Sequence, residues 1–283
     1  MGERQKTFKK LLESNTPIKL LETHSPLCGI IVETKKFQGM WSSGLCDSSL
    51  KGLPDNEILS IQSRLESIDS ILAVTSKPML MDLDTGGKIE HLKINLKNLD
   101  KRDIAGAIIE DKAGYKRNSL YGNVSDQCQE STERFCQKLS AGKSVVGGTF
   151  ILIARIESLI LGQTVEHALI RADAYVRAGA DGIMIHHCEQ DASPILEFAK
   201  AFKKKHRKIP LVAVPTIFNR IQDKKLFDAG YNIIIYANQM LRASYNAMNN
   251  VADRILKDGC THQIDKSLIG VRELLSKIPG NDN

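Results

Sequence analysis

Residues 110–112, with the sequence EDK, bring two carboxyl groups and an amine to the end of an apolar run. That run, residues 105–109, has the composition of a buried strand. Charges at the end of a buried strand are costly unless each meets an opposite charge, a cation or a substrate. The next residues, 113–119, are polar, contain glycine and end in Asn118 and Ser119. We therefore expect a charged site at this point, covered by a mobile loop.

Two further carboxylates stand at the end of another apolar run, residues 79–83. Asp82 and Asp84 are two residues apart, and side chains two apart on a strand point the same way. Together with Glu110 they would present the oxygen ligands that Mg²⁺ prefers, with water and a substrate oxygen as the remaining ligands. The alternative is that one or two of these acids only cap loops. We predict a Mg²⁺ site formed by Asp82, Asp84 and Glu110.

Three more apolar runs end in groups that suit an anion. Residues 41–45, WSSGL, are mostly small, which lets backbone N–H groups approach an anion. Arg155 lies at the end of its run, where a guanidinium would clamp a phosphoryl group with two hydrogen bonds. An ion pair with Glu110 or Glu157 is the alternative for this arginine. His186 ends a third run and would donate to phosphate oxygens, although a single histidine there is more often a packing residue.

Eight short apolar runs would position these groups. The runs are continuous rather than alternating, which is typical of strands buried on both faces of a parallel sheet. They are residues 18–22, 39–42, 79–83, 105–109, 150–156, 182–186, 211–215 and 232–237. Eight β–α units in about 240 residues predict a (β/α)8 TIM-type barrel with its active site at the carboxyl ends of the strands. A Rossmann sheet is the alternative, but no GxGxxG sequence follows any of the runs.

Helix signals occupy the stretches between these runs. Apolar residues recur at helical spacing on one face between residues 58 and 72. Ser193 and Pro194 predict an N-cap and a first helical residue. Gly179 and Gly230 stand where glycines commonly end helices. These signals support a helix after most of the strands.

The 283 residues show no linker, low-complexity segment or repeat, so we expect one domain over residues 1–283. The chain is 42% hydrophobic and 25% charged, which is ordinary for a globular protein. The C-terminal residues, from about 251 to 283, form a predicted helical extension beyond the barrel. Such an extension would pack on a partner subunit.

The net charge of +6 suits an anionic small-molecule substrate and does not require nucleic acid. The basic run 203–208 has no interleaved aromatic residues and is interpreted as a solvated helix end. The six cysteines form no CxxC pair, and no apolar stretch has the length of a signal peptide or a membrane span. We expect a cytoplasmic protein with reduced thiols and no membrane partner.

Taken together, the motifs resemble those of the phosphoenolpyruvate mutase family in the isocitrate lyase superfamily. The resemblance runs from about residue 18 to residue 243, nearly the whole predicted barrel. EDK-x5-NS is the fingerprint of that family, and here it reads EDKAGYKRNS. The supporting matches, in order along the chain, are WSSGL, GLPDNE, DLDTG, ARIES, RADAYVRAGADGIMIH and ANQMLRA.

The resemblance implies a Mg²⁺-dependent interconversion of phosphoenolpyruvate and phosphonopyruvate, in which a phosphoryl group moves between the enol oxygen and carbon three. Asp82 is implied as the direct metal ligand, with Asp55, Asp84 and Glu110 holding its waters. The residues implied to act on the substrate fall into three groups: Trp41, Ser43, Gly44 and Leu45 at its carboxylate and enolate, Arg155 and His186 at its phosphoryl group, and Lys116, Asn118 and Ser119 on the closing loop. The family also implies a homo-oligomer, a dimer or a tetramer, that exchanges terminal helices.

Other functions stay open at this point. Phosphonopyruvate hydrolases share the implied metal site but depart from the Asn-Ser pair that Asn118 begins, and a carboxyphosphonoenolpyruvate mutase is a further alternative. Carbon–carbon lyases carry a KxCGH segment that is absent here, and a basic nucleic-acid-binding protein would leave the carboxylates unexplained. The chain departs from the family at residues 87–88, Gly-Lys instead of Tyr-Gly, at residues 113–115, where a proline is common, and at His187, where a serine is common.

Overall fold

Eight parallel strands close into a barrel, as the sequence predicts. The computed structural model describes residues 2–14, 16–114, 116, 118–119 and 127–280. Each barrel strand pairs with the next one along the chain, and the last pairs with the first. The barrel strands are β1 (Ile18–Glu22), β2 (Gly39–Ser42), β3 (Met79–Asp82), β4 (Gly106–Glu110), β7 (Ile151–Ile156), β8 (Gly182–Ile185), β9 (Leu211–Ala213) and β10 (Ile233–Tyr236). Their ends differ from the predicted runs by two residues at most.

Helices surround the barrel and follow the strands. The longer ones are α1 (Glu3–Glu13), α2 (Pro26–Thr34), α4 (Ile61–Leu72), α5 (Ile89–Lys101), α6 (Thr132–Lys143), α7 (Val165–Arg177), α8 (Ser193–Lys205) and α10 (Gln239–Asp258). The shorter ones are α3 (Gly44–Leu50), α9 (Asp223–Ala229) and α11 (Val271–Lys277). Two short strands, β5 (Lys112–Ala113) and β6 (Cys128–Gln129), pair antiparallel outside the barrel.

The helix ends confirm two predictions and correct two. Gly179 and Gly230 follow α7 and α9 with φ of 101° and 113°, the left-handed conformation that glycine adopts most readily. Ile58 is 59% exposed and precedes α4, because Ser60 caps that helix by accepting a hydrogen bond from the Ser63 N–H. Ser193 is not the N-cap of α8 but its first residue, and its hydroxyl donates to Asp191 instead.

The amino-terminal end of the barrel is closed by α1. Phe8 is 1% exposed and packs with the side chains that fill the barrel, among them Leu20 and Ile108. The Arg4 guanidinium donates to the backbone carbonyl of Leu72, the last residue of α4, at 2.8 Å and to that of Thr75, which follows α4, at 2.7 Å, which fixes α1 in place. A larger apolar cluster packs between the strands and the outer helices. Among the described residues, α1 therefore covers the amino-terminal end of the barrel interior.

The C-terminal extension is helical, but its first helix begins before the predicted start near residue 251. α10 begins at Gln239, directly after the last strand, and ends before Gly259, whose φ is 65°. A 3₁₀ turn (Asp265–Ser267) and α11 follow. Large apolar side chains on these helices are exposed, including Leu256 at 84% and Val271 at 75%. In the described part of the chain, no helix is both long enough and apolar enough to cross a membrane.

Candidate active site

One narrow cavity at the carboxyl end of the barrel gathers most of the predicted residues. Ten of them line it: Trp41, Ser43, Leu45, Asp55, Asp82, Lys116, Asn118, Ser119, Arg155 and His186. Five residues that sequence reasoning did not assign line it as well: Met184, Val214, Thr216, Ala237 and Asn238. Three predicted residues, Gly44, Asp84 and Glu110, are not part of the lining. The predicted groups thus converge, but not all of them reach the cavity surface.

The start of α3 forms one wall of the cavity. Ser43 caps this helix, since its hydroxyl accepts a hydrogen bond from the Cys46 N–H. Gly44 follows, and a Cβ atom at this position would lie 2.7 Å from Asp84 Oδ1 and 3.3 Å from Lys116 Nζ. Only glycine therefore lets the helix start approach the charged side chains so closely.

Asp82 and Asp84 lie close together, but not for the predicted reason. Asp82 is the last residue of β3, whereas Asp84 lies in the turn beyond it with a φ of 54°, so the strand alternation does not apply. The Asp84 N–H donates to Asp82 Oδ1 at 3.0 Å. Burial raises the pKa of Asp84 to about 6. Burial opposes the charge on Asp82, but Lys116 and the nearby arginines outweigh it and lower its pKa.

Lys116 is the cation that this carboxylate cluster surrounds. Its ammonium group donates to Asp55 Oδ1 at 2.8 Å and to Asp84 Oδ1. The Asn118 amide donates to the other Asp55 oxygen at 2.7 Å. Burial alone would lower the pKa of Lys116, but the surrounding carboxylates, Asp84 first among them, raise it. The predicted loop residues thus contact barrel residues; Tyr115, also part of the predicted loop, lies outside the described residues.

Glu110 is buried behind the cavity lining, 1% exposed, with both carboxylate oxygens inaccessible. Arg155 NH2 lies 3.1 Å from one oxygen and Lys112 Nζ 3.7 Å from the other, as ion-pair contacts. Neither oxygen accepts a hydrogen bond from the residues that the structure describes. Burial raises the pKa of this carboxyl to about 7, against the pull of Arg155.

The residues of the predicted metal site fit Mg²⁺ by their chemistry, although they are not arranged as a ready-made cage. Within the described ranges, no three acidic, histidine or cysteine side chains stand together in metal-binding geometry. Lys116 instead occupies the space between Asp55 and Asp84. The donors are nevertheless carboxylate oxygens, which suit Mg²⁺, and the Glu110 oxygens lack the hydrogen bonds that buried oxygens usually have. Such oxygens would accept hydrogen bonds from the waters of a bound ion.

Arg155 lies on the opposite side of the site and makes the ion pairs with Glu110 and Glu157 that the sequence offered as an alternative. It lines the cavity, and its Nε donates to Glu157 Oε1 at 2.5 Å. Its NH2 group donates to Ser119 Oγ at 3.0 Å. Ser119 in turn accepts from Lys112 at 2.6 Å and donates to Glu157 Oε2 at 2.7 Å. The end of the loop is therefore bound to the arginine through one hydroxyl group.

His186 completes this side of the cavity as a neutral ring. Burial lowers its pKa, and the neighbouring Arg155 charge lowers it further. Its Nδ1 lies 2.7 Å from Arg155 NH2 and 3.2 Å from Glu157 Oε1, contacts that require opposite tautomers. The shorter contact favours Nδ1 as an acceptor, with the proton on Nε2. His187 does not line the cavity; its Nε2 lies 3.0 Å from the Asp191 carbonyl.

Asp111 and Arg64 support the site from behind. Asp111, the middle residue of EDK, is fully buried and accepts hydrogen bonds from the Glu157 N–H at 2.9 Å and the Tyr175 hydroxyl at 2.6 Å. Arg64, from α4, donates to the Asp82 carbonyl at 2.6 Å and to Asp47 at 2.9 Å. Sequence reasoning missed Arg64, although a charge within the apolar face of a helix was the signal that marked it.

Comparisons with known proteins agree with this geometry. A family model described as phosphoenolpyruvate phosphomutase matches residues 8–256. The phosphoenolpyruvate phosphomutase of Tetrahymena pyriformis is 33% identical over 277 residues, which cover 97% of this chain and 91% of that protein. A crystal structure of the phosphoenolpyruvate phosphomutase from Streptomyces platensis subsp. rosaceus is 32% identical, with a TM-score of 0.92, and the match covers 96% of this chain and 94% of that one. A phosphonopyruvate hydrolase solved in complex with oxalate and Mg²⁺ is 29% identical, with a TM-score of 0.88 and coverage of 97% and 94%.

Proposed function

The chain belongs to the phosphoenolpyruvate phosphomutase family, and we propose that it is a mutase that interconverts phosphoenolpyruvate and phosphonopyruvate. In this reaction one P–O bond breaks as one P–C bond forms, or the reverse, within the same set of atoms. The observation that carries the proposal is the position of Asn118. Its amide lines the cavity and donates to Asp55, beside Lys116. Its presence on the cavity wall supports a mutase, because the implied distinction between a mutase and a hydrolase rests on this residue.

The substrate carries a carboxylate and a phosphoryl group, and the cavity offers donors for both. Arg155 and His186 would bind the phosphoryl oxygens, because a planar guanidinium and a ring N–H donate in fixed directions. The backbone N–H groups at Gly44 and Leu45 would bind the carboxylate, since the first N–H groups of a helix have no partner within it. Trp41 would pack on the planar part of the substrate.

Magnesium would be held by Asp82, Asp84 and Glu110, with Asp55 beside them. When bound, it would stabilise the negative charge that develops on the enolate oxygen. Lys116 contacts two of these carboxylates, so its ammonium would share them with the ion. Arg155 would stabilise the charge spread over the phosphoryl oxygens during transfer.

Exclusion of water decides whether the phosphoryl group is transferred or hydrolysed. Lys116 and Ser119 are 4% and 5% exposed, and each contacts barrel residues across the cavity. A closed site of this kind keeps water from capturing the phosphoryl group. The Asn118 amide contributes to the closure and, being uncharged, cannot act as a base toward a water molecule. This combination favours a mutase.

Phosphorus NMR of phosphonopyruvate incubated with the enzyme and Mg²⁺ tests the proposal. We expect the phosphonate signal to be replaced by that of phosphoenolpyruvate. Inorganic phosphate together with pyruvate would instead identify a phosphonopyruvate hydrolase, the activity of the relative that is 29% identical. If phosphonopyruvate is left unchanged and carboxyphosphonoenolpyruvate is converted, the third alternative holds and the mutase proposal is wrong in its substrate.

We further propose that residues 1–283 act as one domain and that α10 and α11 pack against another copy of the chain. The exposed Leu256 and Val271, with Met248 at 62%, form the kind of apolar surface that marks an interface. Light scattering should give the mass of a dimer or a tetramer. Leu256→Asp should shift the mass toward the monomer, whereas Lys224→Asp, on an exposed part of α9, should leave it unchanged.

A further inference from the structure

Glu22, His24 and Cys28 form a buried cluster of titratable groups apart from the cavity. His24 Nδ1 lies 2.6 Å from Glu22 Oε1. The Cys28 sulfur lies 3.6 Å from His24 Nε2 and 3.8 Å from Nδ1, nearly equidistant from the two ring nitrogens. Glu22 is fully buried, His24 is 8% exposed and Cys28 is 4% exposed. None of them lines the cavity or takes part in the proposed reaction.

The charge of this cluster follows from its burial. A buried carboxylate needs a cation, and His24 makes the ion pair that the structure records for Glu22 within the described residues. The other Glu22 oxygen accepts a hydrogen bond from the Leu241 N–H at 3.0 Å, at the start of α10. The hydrogen bonds of His24 with Cys28 and Glu22 raise its pKa to about 10. The ring is therefore an imidazolium, placed directly beside a thiol.

A second cysteine in the same local structure shows what the histidine contributes. Cys28 is the third residue of α2 and donates its N–H to the Ser25 cap at 3.4 Å, and Cys46 is the third residue of α3 and donates to the Ser43 cap at the same distance. Both sulfurs are buried. Burial raises the pKa of Cys46, whereas at Cys28 the hydrogen bonds from His24 and Ser25 outweigh burial and lower the pKa.

We propose that Glu22, His24 and Cys28 form a peroxide-reactive thiol site. In the reaction, a sulfur electron pair of Cys28 attacks one oxygen of a hydroperoxide, an S–O bond forms and the O–O bond breaks. The cysteine is oxidised by two electrons to a sulfenic acid, and the peroxide is reduced to water or an alcohol with the proton that His24 holds. Glu22 connects the site to the start of α10, beside the cavity residue Asn238.

Peptide mapping by mass spectrometry after brief exposure of the full-length protein to hydrogen peroxide tests this site. We expect Cys28 to be oxidised about tenfold faster than the exposed Cys128 and Cys260, with Cys46 slowest of the four. His24→Gln should slow the oxidation of Cys28 about tenfold. Oxidation of Cys28 no faster than that of Cys128 and Cys260 would overturn the proposal.

A second measurement covers the case in which His24→Gln, which leaves Glu22 without its cation, does not fold. The ultraviolet absorbance of thiolates, followed as the pH is raised from 6 and compared between the wild type and Cys28→Ser, reports the ionisation of this sulfur directly. We expect the thiolate that Cys28→Ser removes to form at lower pH than that of an ordinary thiol, whose pKa is about 8.5, because the Cys28 pKa is lowered, and we expect Cys46→Ser to remove none in that range. A Cys28 thiolate that forms only at or above the pH of an ordinary thiol would refute the proposed activation.

Discussion

The two halves of the cavity differ in how their buried charges are balanced. In the carboxylate half, Asp55, Asp82 and Asp84 surround the ammonium group of Lys116. The Arg64 guanidinium lies behind them, 3.7 Å from Asp84. In the guanidinium half, Arg155 binds Ser119, Glu157 and His186 through a chain of hydrogen bonds that leaves few groups unsatisfied. The first half keeps an excess of negative charge, and the second is balanced within itself.

Because of this difference in charge, each half is suited to a different ligand. An excess of buried carboxylate charge is tolerated only with a cation nearby, so the carboxylate half is suited to accept Mg²⁺ in addition to Lys116. The guanidinium half holds its arginine in a fixed orientation by the carboxylate of Glu157, which suits recognition of a phosphoryl group. A substrate that carries an enolate and a phosphoryl group would therefore bind with one end in each half.

Removing a carboxylate from the first half should have the largest effect. We expect Asp82→Ala to lower Mg²⁺-dependent turnover by about a thousandfold or more, because the enolate charge loses its stabilisation. The measurement is kcat with saturating substrate over a range of Mg²⁺ concentrations. Asp69→Ala, at an exposed ion pair with Arg102, is the control and should keep full activity. Normal turnover in Asp82→Ala would remove the metal assignment from this half.

Removing the Arg155 guanidinium should lower activity less than Asp82→Ala does, and the effect should be measured as kcat/KM. We expect Arg155→Ala to lose roughly 2–4 kcal/mol of transition-state stabilisation, measured as kcat/KM. The substitution also removes one of the two cations that pair with the buried Glu157 and leaves Lys112 at 3.2 Å, so thermal unfolding must be measured beside activity. Arg155→Lys keeps the positive charge, so its kcat/KM should lie between that of the wild type and that of Arg155→Ala. An unchanged kcat/KM in a folded Arg155→Ala protein would contradict the proposed role.

The sequence predicted the barrel better than it predicted the contacts within the cavity. Strands buried on both faces leave continuous apolar runs, so their bounds could be found within two residues. The position of Asp84 could not, because it depends on a left-handed turn rather than on strand alternation. The contact of Lys116 with Asp55, 61 residues away, depends on how a loop folds over the barrel. Thr216 and Asn238 were missed because one polar residue after a strand looks like any turn.

Asn118 is proposed to help keep water away from the phosphoryl group. Its replacement should therefore change the ratio of phosphoenolpyruvate to inorganic phosphate more than the overall rate. We expect Asn118→Ala to lower the formation of phosphoenolpyruvate by roughly tenfold, since one hydrogen bond to Asp55 is lost and the closure is loosened. Inorganic phosphate should appear as a by-product in the same phosphorus NMR experiment. Gln222→Ala, outside the cavity, is the amide control. A variant that rearranges substrate at the wild-type rate without phosphate release would refute the role of Asn118.

The smallest expected effect is a pH dependence of Mg²⁺ binding. Glu110 and Asp84 have pKa values raised to about 7 and about 6, so in the absence of metal both gain protons as the pH falls from 8 to 6. Metal binding needs the ionised carboxylates, and its affinity should therefore rise with pH over this range and level off above it. With a pKa of about 7, Glu110 alone predicts about tenfold weaker Mg²⁺ binding at pH 6 than at pH 8.

In the guanidinium half, burial lowers the pKa of His186, which shifts the protonation of its ring toward lower pH. Calorimetric titration with sulfate, which does not itself titrate here, should therefore give an affinity that changes less between pH 6 and pH 8 than the Mg²⁺ affinity does. Glu110→Gln should weaken Mg²⁺ binding and flatten its pH dependence, since only Asp84 then titrates in this range. If the wild-type Mg²⁺ affinity is equal at pH 6 and pH 8, the Glu110 and Asp84 carboxyls do not control metal binding. The proposed difference in charge between the two halves would then be wrong.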